Sequence, residues 1–160
     1  RLSPDCFDAL LADAQATKHA VVNGGEVCHP QAGAGAQALE KQAAEALLAA
    51  LREADGSPAT LDEIFSSCKI EPSLGRRAMA SLEKAGEAVR ITKELAFSTE
   101  ALSQFEQAVR TRLADGASAS AAELRDAMGT TRKYAIPLLE YFDDKGITRR
   151  SGDERVLTGR

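Results

Sequence analysis

The sequence predicts a mostly α protein with small β-hairpins, an α+β class, and three observations predict it. Alanine-rich segments set apolar residues at helical spacing. Short β-like runs follow these helices at intervals, two of them directly after a glycine. The order of elements then recurs at a shift of 60 residues.

After Pro4, CFDALLADAQATKHA aligns Phe7, Leu10, Leu11 and Ala14 on one side of a helix. AVVNGGEVCHP follows, in which Asn23-Gly24-Gly25 can supply the positive φ angles of a tight hairpin turn between two apolar strands. QAGAGAQ, residues 31–37, is small and flexible and reads as a linker. The next helix spans roughly residues 38 to 54, with Leu39, Ala43, Leu47, Leu48 and Leu51 on one side, and Gly56-Ser57-Pro58 stops it. A short helix near LDEIFSSC and a longer one near SLGRRAMASLEKA come next, and Gly86 ends the second before EAVRITKELAFS.

The same order returns in SQFEQAVRTRLAD, AAELRDAMG, TRKYAIPLLEYFDDK, Gly146 and the hairpin ITRRSGDERVL. The shift places Ile64 on Leu124, Met79 on Leu139, Leu82 on Phe142 and Gly86 on Gly146. A unit ordered helix, short helix, longer helix, two-stranded hairpin is the pattern of a winged helix. Tandem winged-helix domains are therefore expected over residues 36–98 and 99–160, with residues 1–35 supplying the last helix and wing of a preceding copy plus a linker. Each copy is near the lower size limit for independent folding, so neighbours are expected to pack on one another.

Composition narrows the function. A chain of 160 residues with 44% hydrophobic and 28% charged residues reads as a soluble globular protein, and no apolar run approaches the ~18 residues of a membrane span. It starts at Arg1 without a basic-then-apolar leader, which is expected of a piece of a longer protein rather than a secreted precursor. Cys6, Cys28 and Cys68 have no CxxC spacing and suit reduced thiols in the cytoplasm. Cys28-His29 with His19 makes a poor zinc site, because adjacent strand residues point to opposite faces and a fourth ligand is missing. No phosphate loop, Ser/His/Asp set or framed carboxylate pair is evident, so neither an enzyme site nor a cofactor is expected.

The net charge of −4 argues against indiscriminate nucleic-acid binding, but its distribution is uneven. Residues 1–101 carry 10 Lys+Arg against 15 Asp+Glu, whereas residues 102–160 carry 10 against 9, and six of those ten lie between Arg132 and Arg155. Arg132 and Lys133 occupy the first turn of a helix starting at Thr130 or Thr131, where the macrodipole disfavours cations. Asp143 and Asp144 are misplaced at the other end for the mirrored reason. An anion docked at the helix start would reverse the sign. Pro137 removes the N–H owed to the Lys133 carbonyl, so a bend or loosened turn is expected there.

In the hairpin, a three-residue loop sets Arg149 across from Arg155, and a two- or four-residue loop sets Arg150 there. Either register opposes two arginines, a pairing unfavourable by up to ~1 kcal/mol unless something negative intervenes. Asp153 and Glu154 could partly supply that charge. Helix start and wing are the two places where a winged helix touches nucleic acid, and both are basic here. Tyr134, beside Arg132 and Lys133, could stack on an exposed base, whereas Tyr141 and Phe142 read as core. Arg76-Arg77 in the middle copy, with no basic wing beyond Arg90 and Lys93, reads as surface.

The run TTRKYAIPLLEYFDDKGITRRSGDERVL resembles the C-terminal end of the bacterial selenocysteine-specific elongation factors, the SelB family, in its Arg-Lys-Tyr-Ala helix start, Pro-Leu-Leu-Glu-Tyr continuation, and Arg-Arg-x-Gly-Asp-x-Arg wing. More weakly, the helix and wing ending in GGEVCHP look like the preceding winged helices of that family. The resemblance implies a GTPase part outside these residues that binds selenocysteinyl-tRNA and works on the ribosome. It implies four tandem winged helices, the last gripping an mRNA hairpin, the selenocysteine insertion element (SECIS), beside an in-frame UGA codon. Carried onto this chain, Arg132, Lys133, Arg149, Arg150 and Arg155 would contact RNA backbone and loop bases, and Gly152 would permit the turn and a close approach. A DNA-binding transcription regulator, or an array that meets an acidic protein, is the rival reading on architecture alone. RNA suits the small basic surface better, since the A-form major groove is too narrow for a helix and a hairpin offers its loop instead.

Overall fold

The computed structural model describes residues 4–17, 20–23, 26–28, 30–54 and 56–158. They divide into two units, residues 1–42 and 43–160. The first holds α1 (Pro4–Ala16) and a hairpin of β1 (Val21–Asn23) and β2 (Glu26–Cys28), in which Val22 pairs with Val27. Gly24 and Gly25 of the expected turn, and His19 and His29 of the discounted zinc set, lie outside the described residues.

The expected linker at residues 31–37 is helical instead: it lies within α2 (Pro30–Glu53), and the boundary expected between residues 35 and 36 falls inside that helix. Pro30 at the first helical position is pre-set for a helix. The alanines offset two glycines that cost ~1 kcal/mol each, and extending an existing helix needs no new nucleus. On α2, Leu39 is exposed, whereas Ala43, Leu47, Leu48 and Leu51 are buried.

The second unit contains two copies of one plan. In the middle copy, α3 (Leu61–Ser67) and α4 (Pro72–Ala85) pack with the end of α2, and the strands β3 (Ala88–Arg90) and β4 (Ala96–Ser98) close it. In the last copy, α5 (Thr99–Arg112), α6 (Ala121–Ala127) and α7 (Arg132–Asp144) precede β6 (Thr148–Ser151) and β7 (Glu154–Leu157). A two-residue strand, β5 (Ala119–Ser120), joins β7 on its other edge, giving the order β5-β7-β6. This is the winged-helix arrangement, mostly helical with small antiparallel sheets.

The 60-residue shift holds in three dimensions. Ile64 and Leu124, Met79 and Leu139, and Leu82 and Phe142 are all buried. Gly86 and Gly146 both take positive φ, 74° and 69°, where the long helix turns into the wing. Thr60 with Glu63 and Ser120 with Glu123 each form a capping box at the start of the short helix, at the same shift.

The middle hairpin has two buried faces. Ala88 and Ala96 belong to the middle core, while Val89, Leu95 and Phe97, pointing the other way, belong to the last core. Phe97 meets Phe105 edge-on at 5.8 Å between ring centroids. Around this shared hairpin, Thr130 Oγ1 donates to the Gly56 carbonyl at 3.3 Å and Arg52 pairs with Glu100 at 2.6 Å. The two winged helices of the second unit therefore share apolar core rather than a linker.

Candidate functional site

Four of the five long or short helices in the second unit's repeat have a side chain closing their N-terminus. Thr60, Glu71, Ser98 and Ser120 each accept from one or two of the first free N–H groups. The exception is α7. Thr131 occupies its N-cap, at the place of Glu71 in the middle copy, and makes no side-chain cap bond. Its first turn carries no acid, and Arg132 and Lys133 on that turn are exposed. Free N–H groups and two cations thus converge where an anion would be most stabilised. The helix runs unbroken through Pro137, with the Tyr134 and Ala135 N–H groups both bonded to the Thr131 carbonyl.

Lys133 also stands at the seam between copies. Its ammonium lies 5.3 Å from the Tyr134 ring centroid. The Glu63 carboxyl of the middle copy is held below the usual carboxylate range by the Thr60 backbone N–H, then the Thr60 hydroxyl, and in smaller part by the charge of Lys133.

Tyr134 departs from the expectation of a base-stacking platform. It is 9% exposed and meets Phe97 edge-on at 6.3 Å. The reason is helical phase: residue 134 shares the inward face with Ala135, Leu138 and Phe142, and the middle hairpin covers it.

On the wing, Ser151 pairs with Glu154 and Arg150 with Arg155, so the loop is the two residues Gly152-Asp153. Gly152 has φ 64° at the first loop position, as a type II′ turn requires. Arg149 and Arg150 are exposed, but Arg155 is not. Its side chain is 4% exposed and its Nε donates to Asp143 Oδ2 at 2.9 Å. The opposed arginines are therefore relieved from within the protein, and Arg155 is withdrawn from the open surface. Asp143, puzzling as the acid of a helix end, is its partner; Asp144 is exposed.

Helix start and wing are joined through Ser120, which pairs with Glu154 of β7 and also lines a groove between α6 and α7. The groove has a volume of about 280 Å³, a floor of Ala121, Ala122, Ala135 and Ile136, and the guanidinium-bearing Arg125 and Arg132 in its wall. Arg125 did not stand out in the sequence; its position one helical face from Ser120 in a short helix offers only a weak signal. It pairs with the adjacent Asp126 at 2.5 Å, a surface contact worth little.

The family model described as "Elongation factor SelB, winged helix" matches residues 111–157, the stretch that holds this helix start, groove and wing. Residues 111–157 are thus similar to a SelB winged helix. The chain is 29% identical over 105 residues to the selenocysteine-specific elongation factor of Haemophilus influenzae, covering 66% of this chain and 17% of that protein. It is 37% identical over 67 residues to the Escherichia coli factor, covering 42% of the chain and 11% of the relative. These matches thus span under a fifth of each relative's length. Among solved structures, the mRNA-binding domain of E. coli SelB in complex with SECIS RNA superposes with a TM-score of 0.61 at 25% identity, over 77% of this chain and 96% of that one. A bacterial selenocysteine-specific elongation factor, EF-Sec, has the same fold, with a TM-score of 0.61 at 24% identity over 94% of this chain and 24% of that one.

Among the described residues no cluster of His, Cys, Asp or Glu could hold a metal ion, and no helix is long and apolar enough to cross a membrane.

Proposed function

We propose that this chain is the mRNA-binding end of a selenocysteine-specific elongation factor and that its last winged helix recognises a SECIS hairpin. One observation carries the reading: among α3 to α7, α7 alone has no side chain closing its N-terminus, its first turn bears the exposed cations Arg132 and Lys133, and it sits in the SelB-type unit beside two exposed wing arginines. Arg132 and Lys133 receive RNA phosphates at the helix start, and Arg149 and Arg150 receive them at the wing. Gly152 keeps the wing tip narrow enough for close approach. The groove beside Arg132, just under the ~300 Å³ at which small-ligand pockets begin, suits a single unpaired loop base, with Arg125 as a further contact. Tyr134 and Arg155 act from within the fold.

The chain itself is a binding module with no chemistry to perform and no cofactor. In the whole factor, a GTPase part binds selenocysteinyl-tRNA, and hairpin capture delivers it in the cytoplasm to a ribosome paused at an in-frame UGA codon. The test is a titration of the 160-residue chain with a labelled SECIS hairpin, a scrambled hairpin and duplex DNA at two salt concentrations. Preference for the SECIS hairpin is expected, and Arg132→Gln or Arg149→Gln should each cost about 1–3 kcal/mol and lower the salt slope by about one, with the melting temperature unchanged or slightly raised. Equal affinity for the scrambled hairpin, or tighter binding to the duplex, would sink the reading.

A further inference from the structure

Resting on that RNA-binding reading, we infer that Asp143 is a positioning residue: it locks the wing to the end of α7 and so fixes where Arg149 and Arg150 stand relative to the helix start. The geometry is that of a clamp with one jaw on each strand. Asp143 Oδ1 accepts from Thr148 Oγ1 of β6 at 2.6 Å, and Oδ2 accepts from Arg155 Nε of β7 at 2.9 Å. Thr148 is 1% and Arg155 3% exposed, so both donors are buried, while the Asp143 side chain that accepts from them is 21% exposed. A carboxylate in the last turn of a helix works against the macrodipole, so helix stability does not account for Asp143. The two bonds do.

The middle copy supplies the control. Taken by hairpin register, Ala88 and Ala96 occupy the places of Thr148 and Arg155, and both are buried in the middle core. There the wing is held by apolar packing on both faces, and the acid at the place of Asp143, Glu83, makes only a looser 3.3 Å pair with Arg90. The last wing has no further copy against its outer face among the described residues. A polar clamp on the inner face thus stands in the copy whose wing lacks that outer packing and carries the exposed arginines.

The clamp also sorts the wing's three arginines. Arg155 is neutralised inside, while Arg149 and Arg150 on β6 keep their charge for an outside anion. Because Thr148 begins the strand that carries both, a shift of its anchor moves both guanidinium groups together.

A double-mutant experiment on the full 160-residue chain separates positioning from bulk stability. Asp143→Asn and, as the milder change, Thr148→Val are each made in the native background and in an Arg149→Ala/Arg150→Ala background. Affinity for a SECIS hairpin is measured at low ionic strength, where weakened binding stays readable. Amide hydrogen exchange over residues 148–157 is followed without RNA. Each clamp variant is expected to weaken binding about tenfold in the native background and by less than about twofold once the wing arginines are gone, with faster wing exchange in both. Equal losses in the two backgrounds, or no loss, overturn the role, and unchanged wing exchange overturns the lock itself. If Asp143→Asn does not fold, Thr148→Val completes the cycle. A native chain that fails to bind the hairpin while exchange still speeds up in the variants removes the RNA reading but leaves the lock standing.

Discussion

The ring of Phe97, on the last strand of the middle hairpin, meets the ring of Tyr134, on the first turn of α7, edge-on at 6.3 Å and 88°. One aromatic pair therefore ties the wing of one winged helix to the helix start of the next, and edge-to-face pairs add about 0.5–1.5 kcal/mol to the area they bury. Phe97 is 2% exposed and touches Phe105 as well. Phe97→Ala should cost about 3–5 kcal/mol and weaken both copies together, since the cavity opens in the shared hairpin. Chemical denaturation followed by probes in each copy checks this: coincident transitions are expected in the native chain, and two separated transitions there would contradict the shared core.

Thr131 offers a test that sets stability against binding. Giving α7 the cap that Glu71 gives α4, by Thr131→Asp, should raise stability by about 0.5–2 kcal/mol, because an aspartate closes free N–H groups and faces the positive helix end. The same change should weaken hairpin binding, since the carboxylate fills the place proposed for a phosphate. Thermal melting and RNA titration of the one variant measure both. A gain in stability with unaltered affinity would place the RNA away from the helix start.

The capping boxes fix a pH dependence. Glu63 and Glu123 are both held below the usual carboxylate range, first by the backbone N–H of Thr60 and of Ser120 respectively. Their folded pKa values lie below the ~4.3 of a free glutamate, so the stabilisation is present above that value and is lost as pH falls through the folded values. Glu63→Gln with Glu123→Gln should flatten the fall in stability below about pH 4.5 and leave the slope near neutrality unchanged. Denaturant midpoints from pH 3 to 7 read this directly, and an unaltered acid limb would assign acid sensitivity to other carboxylates.

The repeat and its helices were legible because apolar spacing and the paired glycines Gly86 and Gly146 are local signals. The exposed cations of the candidate site, Arg132, Lys133, Arg149 and Arg150, were legible for the same reason: their positions offend local rules. What escaped the sequence depends on distant partners. Residues 31–37 look flexible until the helix they extend is seen, and β5 is two residues that become a strand only by pairing with β7. Tyr134 and Arg155 have the chemistry of surface contacts, and only the middle hairpin and Asp143 take them inside. Ser120 and Glu123 repeat Thr60 and Glu63 at the shift of 60, a signal present in the text of the chain and readable as a capping box.

The doubly buried hairpin β3–β4 decides how this protein can be cut. A gene fragment opening at Thr99 would carry every residue of the last winged helix and still lack Val89, Leu95 and Phe97, which line its core. One closing at Ser98 would leave those three side chains in water. The portable module is thus larger than the repeat that defines it: a last winged helix transplanted onto another protein must bring the preceding wing with it.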